Sequence, residues 1–296
     1  MQTPPNALGF YRFKVGDIEV ICINDGTLSS DINAVRGVSA EQAQALFDES
    51  FFPEVRCTTN NFIIRSQGRT ALVDVGAGPF IDDTAGKMLE NAAAAGISPV
   101  DIDTILFTHI HPDHISGLMD ANWNKVFPHA VVKMHKAEFE FWLSDDPQSQ
   151  KIAHVKHEAD HVIRFMTPYL DQIELFESGE VMPGVSAVPL PGHTPGHTGY
   201  LIASQGEELL IWGDIVHWPV VQFALPDAAM VYDVDPAQAI VTRRAIMSKA
   251  ASNGLLVAGM HLFFPGLTRV RRQGDAFAMA PVPWGHAPFA KAKNSI

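Results

Sequence analysis

The sequence predicts an α/β protein of four layers, in which two β-sheets pack face to face and helices cover their outer surfaces. Two observations lead to this prediction: short apolar strands recur through both halves of the 296 residues, and amphipathic helices separate them. Strand, helix and strand in succession indicate parallel pairing. No linker or repeat divides the chain, so we expect a single domain over residues 1–296 with an N-terminal strand and loop extension over about residues 1–58.

The first half opens with strands and then alternates strands with helices. Strands are predicted over residues 10–15 and 18–23, and Asn24-Asp25-Gly26 is typical of a hairpin turn that would end the second strand. Ser39 followed by Gln42 indicates a capped helix over residues 39–47. The remaining elements predicted in this half are strands at residues 61–65, 70–75 and 104–108 and a helix over about residues 82–95.

The second half repeats this alternation. Strands are predicted at residues 131–134, 173–176, 186–189, 199–203, 208–212 and 255–258, and helices at residues 136–143 and about 153–169. Asp235-Pro236 indicates the start of another helix, with Asp235 as its cap, and Gly254 indicates its end.

Charge and composition exclude several classes of partner. The chain has 21 Lys and Arg against 33 Asp and Glu, a net charge of −12, and its densest basic cluster is Arg269-Val270-Arg271-Arg272. Nucleic acid is therefore not expected, because neutralisation of phosphates dominates such binding. No run reaches the roughly 18 apolar residues of a membrane span, and residues 1–20 lack the pattern of a leader. We expect a cytoplasmic protein, or the mature form of an exported one, that acts on a small molecule.

Histidine is the informative residue type, with 13 copies against two cysteines, which are predicted to be buried thiols. Thr108-His109-Ile110-His111-Pro112-Asp113-His114 places four metal-ligand side chains directly after a predicted strand. Residues two apart in an extended segment point the same way, so His109 and His111 can bind one ion. Pro112 favours a helix start, which would turn Asp113 and His114 toward a second ion. The sequence therefore predicts a loop shared by two metal ions.

Three further candidates each follow an apolar strand and a glycine. They are His193 in Pro191-Gly192-His193, Asp214 after Trp212-Gly213, and His261 after Gly259-Met260. Glycine lets the backbone turn sharply at a strand end and direct the next side chain inward. Alone, each pattern is more typical of a turn, but the first histidine cluster makes all three candidate ligands.

Together these seven residues resemble the pattern of the metallo-β-lactamase superfamily, which is His-x-His-x-Asp-His followed by a distant His, Asp and His. The resemblance covers about residues 61–261. It implies an αββα sandwich with the site at one edge of the two sheets. It also implies that one ion is bound by His109, His111 and His193, that the other is bound by Asp113, His114 and His261, and that Asp214 bridges them.

Within the superfamily, residues 191–198, 213–217 and 259–266 and the opening segment look like the methyl parathion hydrolase and lactonase branch. True β-lactamases of the commonest dinuclear type usually carry cysteine where Asp214 stands, which argues against an antibiotic substrate. The resemblance implies a hydrolase of lactones and aryl esters, with organophosphate triesters as a second activity. Alternatives within the fold are a glyoxalase II-like thioester hydrolase and an iron-dependent persulfide dioxygenase.

The expected cofactors are two divalent ions, with zinc preferred, although imidazole and carboxylate ligands also suit manganese, iron or cobalt. Two such ions lower the pKa of a shared water toward about 7 and supply hydroxide at neutral pH. Asp214 is expected to bridge the ions, and Asp113 to orient the nucleophile or to carry its proton to the leaving group.

Five residues are predicted to support the site. Asp74, in a strand-end Asp-x-Gly, is expected to orient a ligand histidine, and His197 is expected either to do the same or to make a structural hydrogen bond. Phe80, Trp142 and Phe264 lie just beyond predicted ligand segments, so they are expected either to line an apolar pocket or to belong to the core. The exposed-looking run Phe51-Phe52-Pro53 predicts a homodimer contact, a lid or a core segment.

A second motif competes with this reading. Residues 157–161, His-Glu-Ala-Asp-His, match the zinc-peptidase pattern His-Glu-x-x-His, for which Glu177 or Glu180 could supply the downstream acidic ligand. The polar neighbours His154 and Lys156 favour a solvated helix surface instead. His129, His135 and His286 have no partner at ligand spacing and are expected to be structural.

Overall fold

A computed structural model of the protein describes residues 9–52, 54–153 and 155–282. Two seven-stranded β-sheets form its centre. The strands are β1 (Phe10–Val15), β2 (Ile18–Ser29), β3 (Val35–Arg36), β4 (Arg56–Ser66), β5 (Arg69–Val73), β6 (Thr104–Leu106), β7 (Val131–His135), β8 (Ile173–Phe176), β9 (Gly179–Met182), β10 (Val185–Pro189), β11 (Thr198–Ser204), β12 (Glu207–Ile211), β13 (Ala229–Met230), β14 (Leu256–Ala258), β15 (Leu267–Gln273) and β16 (Ala276–Ala280). The helices are α1 (Ala40–Glu49), α2 (Met88–Ala94), α3 (Pro112–Ile115), α4 (Lys136–Trp142), α5 (Lys156–Met166), α6 (Pro219–Gln222) and α7 (Pro236–Asn253).

The two sheets have mixed strand directions. The first has the order β1-β2-β4-β5-β6-β7-β8, antiparallel as far as β5 and parallel from β5 to β8. The second has the order β16-β15-β14-β12-β11-β10-β9, in which β12 and β14 are parallel and the other pairs are antiparallel. β3 and β13 pair with each other outside both sheets.

Three apolar clusters divide the molecule into four layers. Phe62 and Val73 of the first sheet pack with Tyr200 and Ile211 of the second, which forms the core between the sheets. The outer face of the first sheet packs against α2, α4 and α5, and that of the second packs against α7. Each sheet is therefore apolar on both faces, and the predicted four-layer α/β sandwich is confirmed.

The predicted turn at Asn24-Asp25-Gly26 is wrong, because β2 runs through it to Ser29 with a bulge against β4. The buried carboxylate of Asp25 accepts hydrogen bonds from the backbone N–H groups of Ala77 and Met88, both at 2.8 Å. Gly26 has a φ of 116° and lies so close to a neighbouring carbonyl that a Cβ atom would clash. The Asn-Asp-Gly signal thus marks a bulge that aims Asp25 inward.

The termini of the other predicted elements moved by a few residues. Ser39 caps α1 in a capping box with Gln42, and Gly254 ends α7 with a φ of 60°, as predicted. The helix expected over residues 82–95 begins only at Met88, and β15 and β16 were not predicted. Cys22 and Cys57 are buried free thiols, as expected. No described helix has the length and apolar character that a membrane crossing requires.

Candidate metal centre

Loops from both sheets converge at one edge of the sandwich. The loop after β6 carries His109, His111, Asp113 and His114, and the loop between β10 and β11 carries His193. Asp214 and His261 follow β12 and β14 of the second sheet. All seven predicted ligands are thus placed at neighbouring strand ends, where α/β folds collect functional groups.

The glycine before Asp214 is required by a close approach. Gly213 has a φ of 59°, and a Cβ atom there would lie 2.4 Å from Nε2 of His197. That same Nε2 accepts a hydrogen bond from the backbone N–H of Asp214 at 2.9 Å, while Nδ1 of His197 lies 2.8 Å from the carbonyl oxygen of Leu190. His197 therefore holds the backbone of a predicted ligand rather than the ring of a ligand histidine.

Atoms of the seven predicted ligands, together with those of His217, form overlapping groups of three whose members all lie within 4.8 Å of one another. These groups are His109, His111 and His193; His109, His114 and Asp214; Asp113, His114 and His261; and His193, Asp214 and His217. Asp214 belongs to two of the groups and faces both ends of the cluster. This arrangement fits two neighbouring cations with a carboxylate between them.

The ring nitrogens that face away from the cluster are held by polar partners. Nδ1 of His109 lies 3.0 Å from the Thr108 hydroxyl, and Nδ1 of His114 lies 2.8 Å from the Asp74 carboxylate. Nδ1 of His193 lies 2.8 Å from the Asp233 carboxylate, and Nδ1 of His261 lies 2.8 Å from the Thr58 carbonyl. Metal-binding histidines commonly have such partners, which fix the ring orientation and direct the free nitrogen to the ion. Asp74 thus occupies the place predicted for it.

Some buried atoms of the cluster make no hydrogen bonds to one another and are suited to bind a cation. Nε2 of His114 and Oδ1 of Asp214 are buried and have no hydrogen-bond partner among the described residues. Burial lowers the pKa of His109 and His111 well below the usual value. Burial alone would raise the pKa of Asp214, but the nearby imidazoles, His114 first, outweigh it and hold this pKa well below its ordinary value. Burial alone would lower the pKa of His114 and His261, but the Asp214 carboxylate raises both well above the usual value. Imidazoles packed around an ionised carboxylate are a donor set that divalent transition metals prefer.

A cavity of about 210 Å³ opens onto the cluster. Besides the ligands, its walls include Leu28, Ile81, Cys57, Tyr232 and Glu158, and no lysine or arginine lines it in the described part of the chain. It therefore offers a ligand apolar walls beside the candidate metal-binding residues, and no lysine or arginine of the described residues is there to bind phosphate or carboxylate groups.

None of the three predicted aromatic residues lines this cavity. Trp142 is fully buried, donates its indole N–H to Glu138 at 2.8 Å, and packs edge-on against His111 with ring centroids 5.5 Å apart. Phe80 packs against Trp123 and Phe165, and its neighbour Ile81 takes the place on the wall. Phe264 is 38% exposed and lies outside the wall. The prediction that these residues line the pocket is therefore wrong: Trp142 is buried behind His111, Phe80 joins an aromatic cluster, and Phe264 lies partly exposed outside the cavity.

Phe51 is 93% exposed, and the Phe52 ring stacks on Phe263, while Pro53 lies outside the described residues. His154 and His286 also lie outside them.

Several buried polar residues at the site were missed by sequence reasoning. Nε2 of His217 lies 3.1 Å from Oδ2 of Asp214, which precedes His217 by three residues. The carboxylate of Asp233 lies 2.8 Å from Nδ1 of His193. Glu138 is buried and accepts four hydrogen bonds, which join the β6 and β10–β11 loops. The signal for His217 was its spacing of three from Asp214, whereas Asp233 and Glu138 carry no local signal.

The helix with the peptidase-like motif was expected to be a solvated surface, but one side of it is partly buried. His157 is exposed, but Nε2 of His161 lies 2.7 Å from the Ser116 hydroxyl, so the two histidines do not share an ion. Glu158 projects to the cavity wall, where burial raises its pKa to about 7. The prediction was wrong because α5 packs its Glu158 and His161 side toward α3.

Comparisons with known proteins agree with this geometry. A family model described as the metallo-beta-lactamase superfamily matches residues 55–253. The solved structure of the hydrolase AbOPH, in the beta lactamase superfamily, is 29% identical, with a TM-score of 0.88 over 95% of this chain and 99% of that chain. AidC, a dizinc quorum-quenching lactonase, is 24% identical, with a TM-score of 0.87 over 94% of this chain and 98% of that chain, and supports the fold.

Curated relatives match over shorter regions. An N-acyl homoserine lactonase from a Bacillus species is 28% identical over 110 residues, which are 37% of this chain and 36% of that relative. The uncharacterized protein YobT of Bacillus subtilis strain 168 is 27% identical over 176 residues, which are 58% of this chain and 68% of that relative.

Proposed function

Because the chain belongs to the metallo-beta-lactamase superfamily, we propose that it is a dinuclear metal-dependent hydrolase of lactones and related neutral esters. The observation that carries this proposal is the cluster of seven ligand side chains beside a cavity with apolar walls and no basic lining residue. The lactonases among its relatives and structural neighbours favour lactones within that class.

Metal ions at this cluster, with zinc as the expected metal, would lower the pKa of water and polarise a carbonyl oxygen. The chain itself supplies the orientation. Asp113 is the one predicted ligand that is not fully buried, with its side chain 20% exposed, and its carboxylate lies 3.6 Å from Nε2 of His261. We assign it to hold the proton of the attacking water and to pass it to the leaving oxygen. The half-buried Tyr232 packs edge-on against His217 and, with Leu28 and Ile81, forms walls around a neutral acyl group.

The cavity argues against the alternative reactions. A thioester of glutathione would bring carboxylates to walls that hold no lysine or arginine in the described part of the chain. A persulfide dioxygenase would use the positions of His109, His193 and Asp214, whereas this cluster also brings Asp113, His114 and His261 within ligand distance of one another. A second complete ligand set favours hydrolysis at two ions.

Hydrolysis rates on matched substrates test the proposal. Protein reconstituted separately with zinc, manganese, iron or cobalt is assayed on a lactone, an aryl ester, a phosphotriester, a thioester and a β-lactam of similar acyl size. We expect the highest kcat/KM for the lactone, lower values for the aryl ester and phosphotriester, and loss of activity after chelation. Preference for the thioester or the β-lactam would contradict the substrate assignment, and oxygen uptake with persulfide would replace the reaction class.

A further inference from the structure

One carboxylate oxygen on the cavity wall accepts no hydrogen bond from the described residues. Glu158 of α5 has a side chain that is 24% exposed, yet its Oε2 atom is buried and has no hydrogen-bond partner among the described residues. A buried oxygen without a partner is destabilising, and more so when it is charged, because its lost hydration is not replaced by a hydrogen bond. Such an atom at the edge of a functional cluster indicates a contact that forms in the working state.

A second buried polar atom without a hydrogen bond among the described residues lies close to Glu158 and belongs to His111. Nδ1 of His111 lies 2.9 Å from Nε2 of His193, so this nitrogen faces the cluster. Nε2 therefore points away from the cluster, is buried, and has no partner among the described residues. It lies 3.8 Å from Oε2 of Glu158, too far for a hydrogen bond but within reach of a small side-chain rotation.

His111 is also the exception among the histidines assigned to the metals. His109, His114, His193 and His261 all have a polar group within 3.0 Å of the nitrogen that faces away from the cluster. We propose that Glu158 completes this set by accepting a hydrogen bond from Nε2–H of His111 in the metal-loaded protein. The bond keeps the proton on Nε2 and leaves the lone pair of Nδ1 for the ion, which makes Glu158 a positioning residue.

The helix that carries Glu158 is anchored to the metal loop, which makes this role feasible. His161, three residues later, contacts the hydroxyl of Ser116, which follows α3, and stacks on Phe165 with ring centroids 4.2 Å apart. On another side, the Trp142 ring packs edge-on against His111. Both partners are therefore held within about one ångström of hydrogen-bond distance by contacts that need no metal.

Metal retention tests this inference, which rests on the metal centre of the proposed function but not on its substrate. Wild-type protein, Glu158→Gln, Glu158→Ala and the control Asp160→Asn are loaded with cobalt(II), and the visible spectrum and the rate of cobalt release to excess EDTA are recorded. Asp160 is exposed on the same helix and pairs with Lys156, so its substitution should change neither readout. Thermal melting of each variant without metal reports whether the fold is intact.

We expect Glu158→Ala to release one of the two cobalt ions about 10- to 100-fold faster, with an altered spectrum, and Glu158→Gln to lie between Ala and wild type because its amide oxygen still accepts. Release unchanged in both variants would overturn the inference. Equal loss in both would also overturn it, in favour of direct ligation by the carboxylate. A change in KM alone would overturn it in favour of a substrate contact. If the wild-type protein binds cobalt but hydrolyses no lactone, the substrate proposal is refuted, whereas the cobalt-release comparison still tests the role of Glu158.

Discussion

Asp74 joins three parts of the site through one side chain. Its φ is 55°, a left-handed conformation that aspartate and asparagine tolerate better than most residues. Its carboxylate accepts hydrogen bonds from the backbone N–H and the hydroxyl of Thr108 and lies 2.8 Å from Nδ1 of His114. The strand-end Asp-x-Gly pattern predicted a residue of this kind, because a polar group at a strand end beside a ligand loop has few other partners.

Replacing Asp74 with asparagine should weaken metal binding while the fold is kept. Asparagine still tolerates the left-handed backbone, and its amide oxygen still accepts from the Thr108 N–H, but its NH2 group cannot accept a hydrogen bond from Nδ1–H of His114. We expect a 10- to 100-fold lower affinity for zinc, measured by competition with a chromogenic chelator. Asp83→Asn, at an exposed position, serves as the control. An affinity equal to that of wild type would show that His114 needs no carboxylate partner.

His217 is the residue at the site whose chemical role is least determined by its contacts. Both of its ring nitrogens are buried without a hydrogen-bond partner among the described residues, and burial lowers its pKa to about 4. A neutral imidazole on the cavity wall can donate to a substrate oxygen and accept from a water.

His217→Ala should therefore lower kcat on the preferred ester by about 100-fold or more, with two metal ions per chain retained. Tyr232→Phe, which keeps the ring that packs edge-on against His217, should have a much smaller effect. Steady-state kinetics and metal analysis of the same samples check this. Loss of one ion in His217→Ala would instead identify His217 as a ligand, in line with its place in the group with His193 and Asp214.

At the scale of elements, the contact between α5 and the loop after α3 should make stability depend on pH. Burial lowers the pKa of His161 from 6.5 to about 4. A histidine whose pKa is lower in the folded than in the unfolded state stays neutral in the fold, so its stabilisation is complete above pH 6.5 and is lost as the pH falls toward 4.

Urea unfolding of metal-free protein at pH 7 and pH 5 measures this loss. Wild type should lose about 1 kcal/mol more than His161→Gln between the two pH values, a figure already reduced for solvent screening of a partly exposed group. Other buried imidazoles are common to both proteins and cancel in the difference. His157→Gln, an exposed change on the same helix, should behave as wild type. Equal pH dependence in wild type and His161→Gln would show that protonation of His161 does not contribute to the loss of stability.

These elements also show what sequence can predict. The seven candidate ligands could be predicted, and the structure brings them together, because chelation needs fixed residue types at short spacing and at strand ends. The strands of both sheets were found where apolar runs are short and bounded by turns, whereas β15, which contains Arg269, Arg271 and Arg272, has no such pattern. Asp233 and Glu138 were missed because their partners in other loops are 28 to 58 residues away along the chain. Glu158 was not recognised as a cavity residue because its position depends on which side of α5 faces inward.

At the scale of the whole molecule, the metal centre connects the two sheets. His109, His111 and His114 follow a strand of the first sheet, while Asp214 and His261 follow strands of the second. Ions bound between them should therefore stabilise the sandwich as a unit, because ligands that bind only the folded state add about 2.7 kcal/mol at a hundredfold excess over Kd. We expect calorimetry to show that chelator-treated protein melts about 5–10 °C below zinc-loaded protein, because each kcal/mol of stability raises the melting temperature of a chain of this size by a few degrees. Magnesium, which prefers oxygen ligands, is the control and should raise the melting temperature little. Zinc-loaded and metal-free proteins that melt together would show that the two sheets hold the ligand cluster without any contribution from an ion.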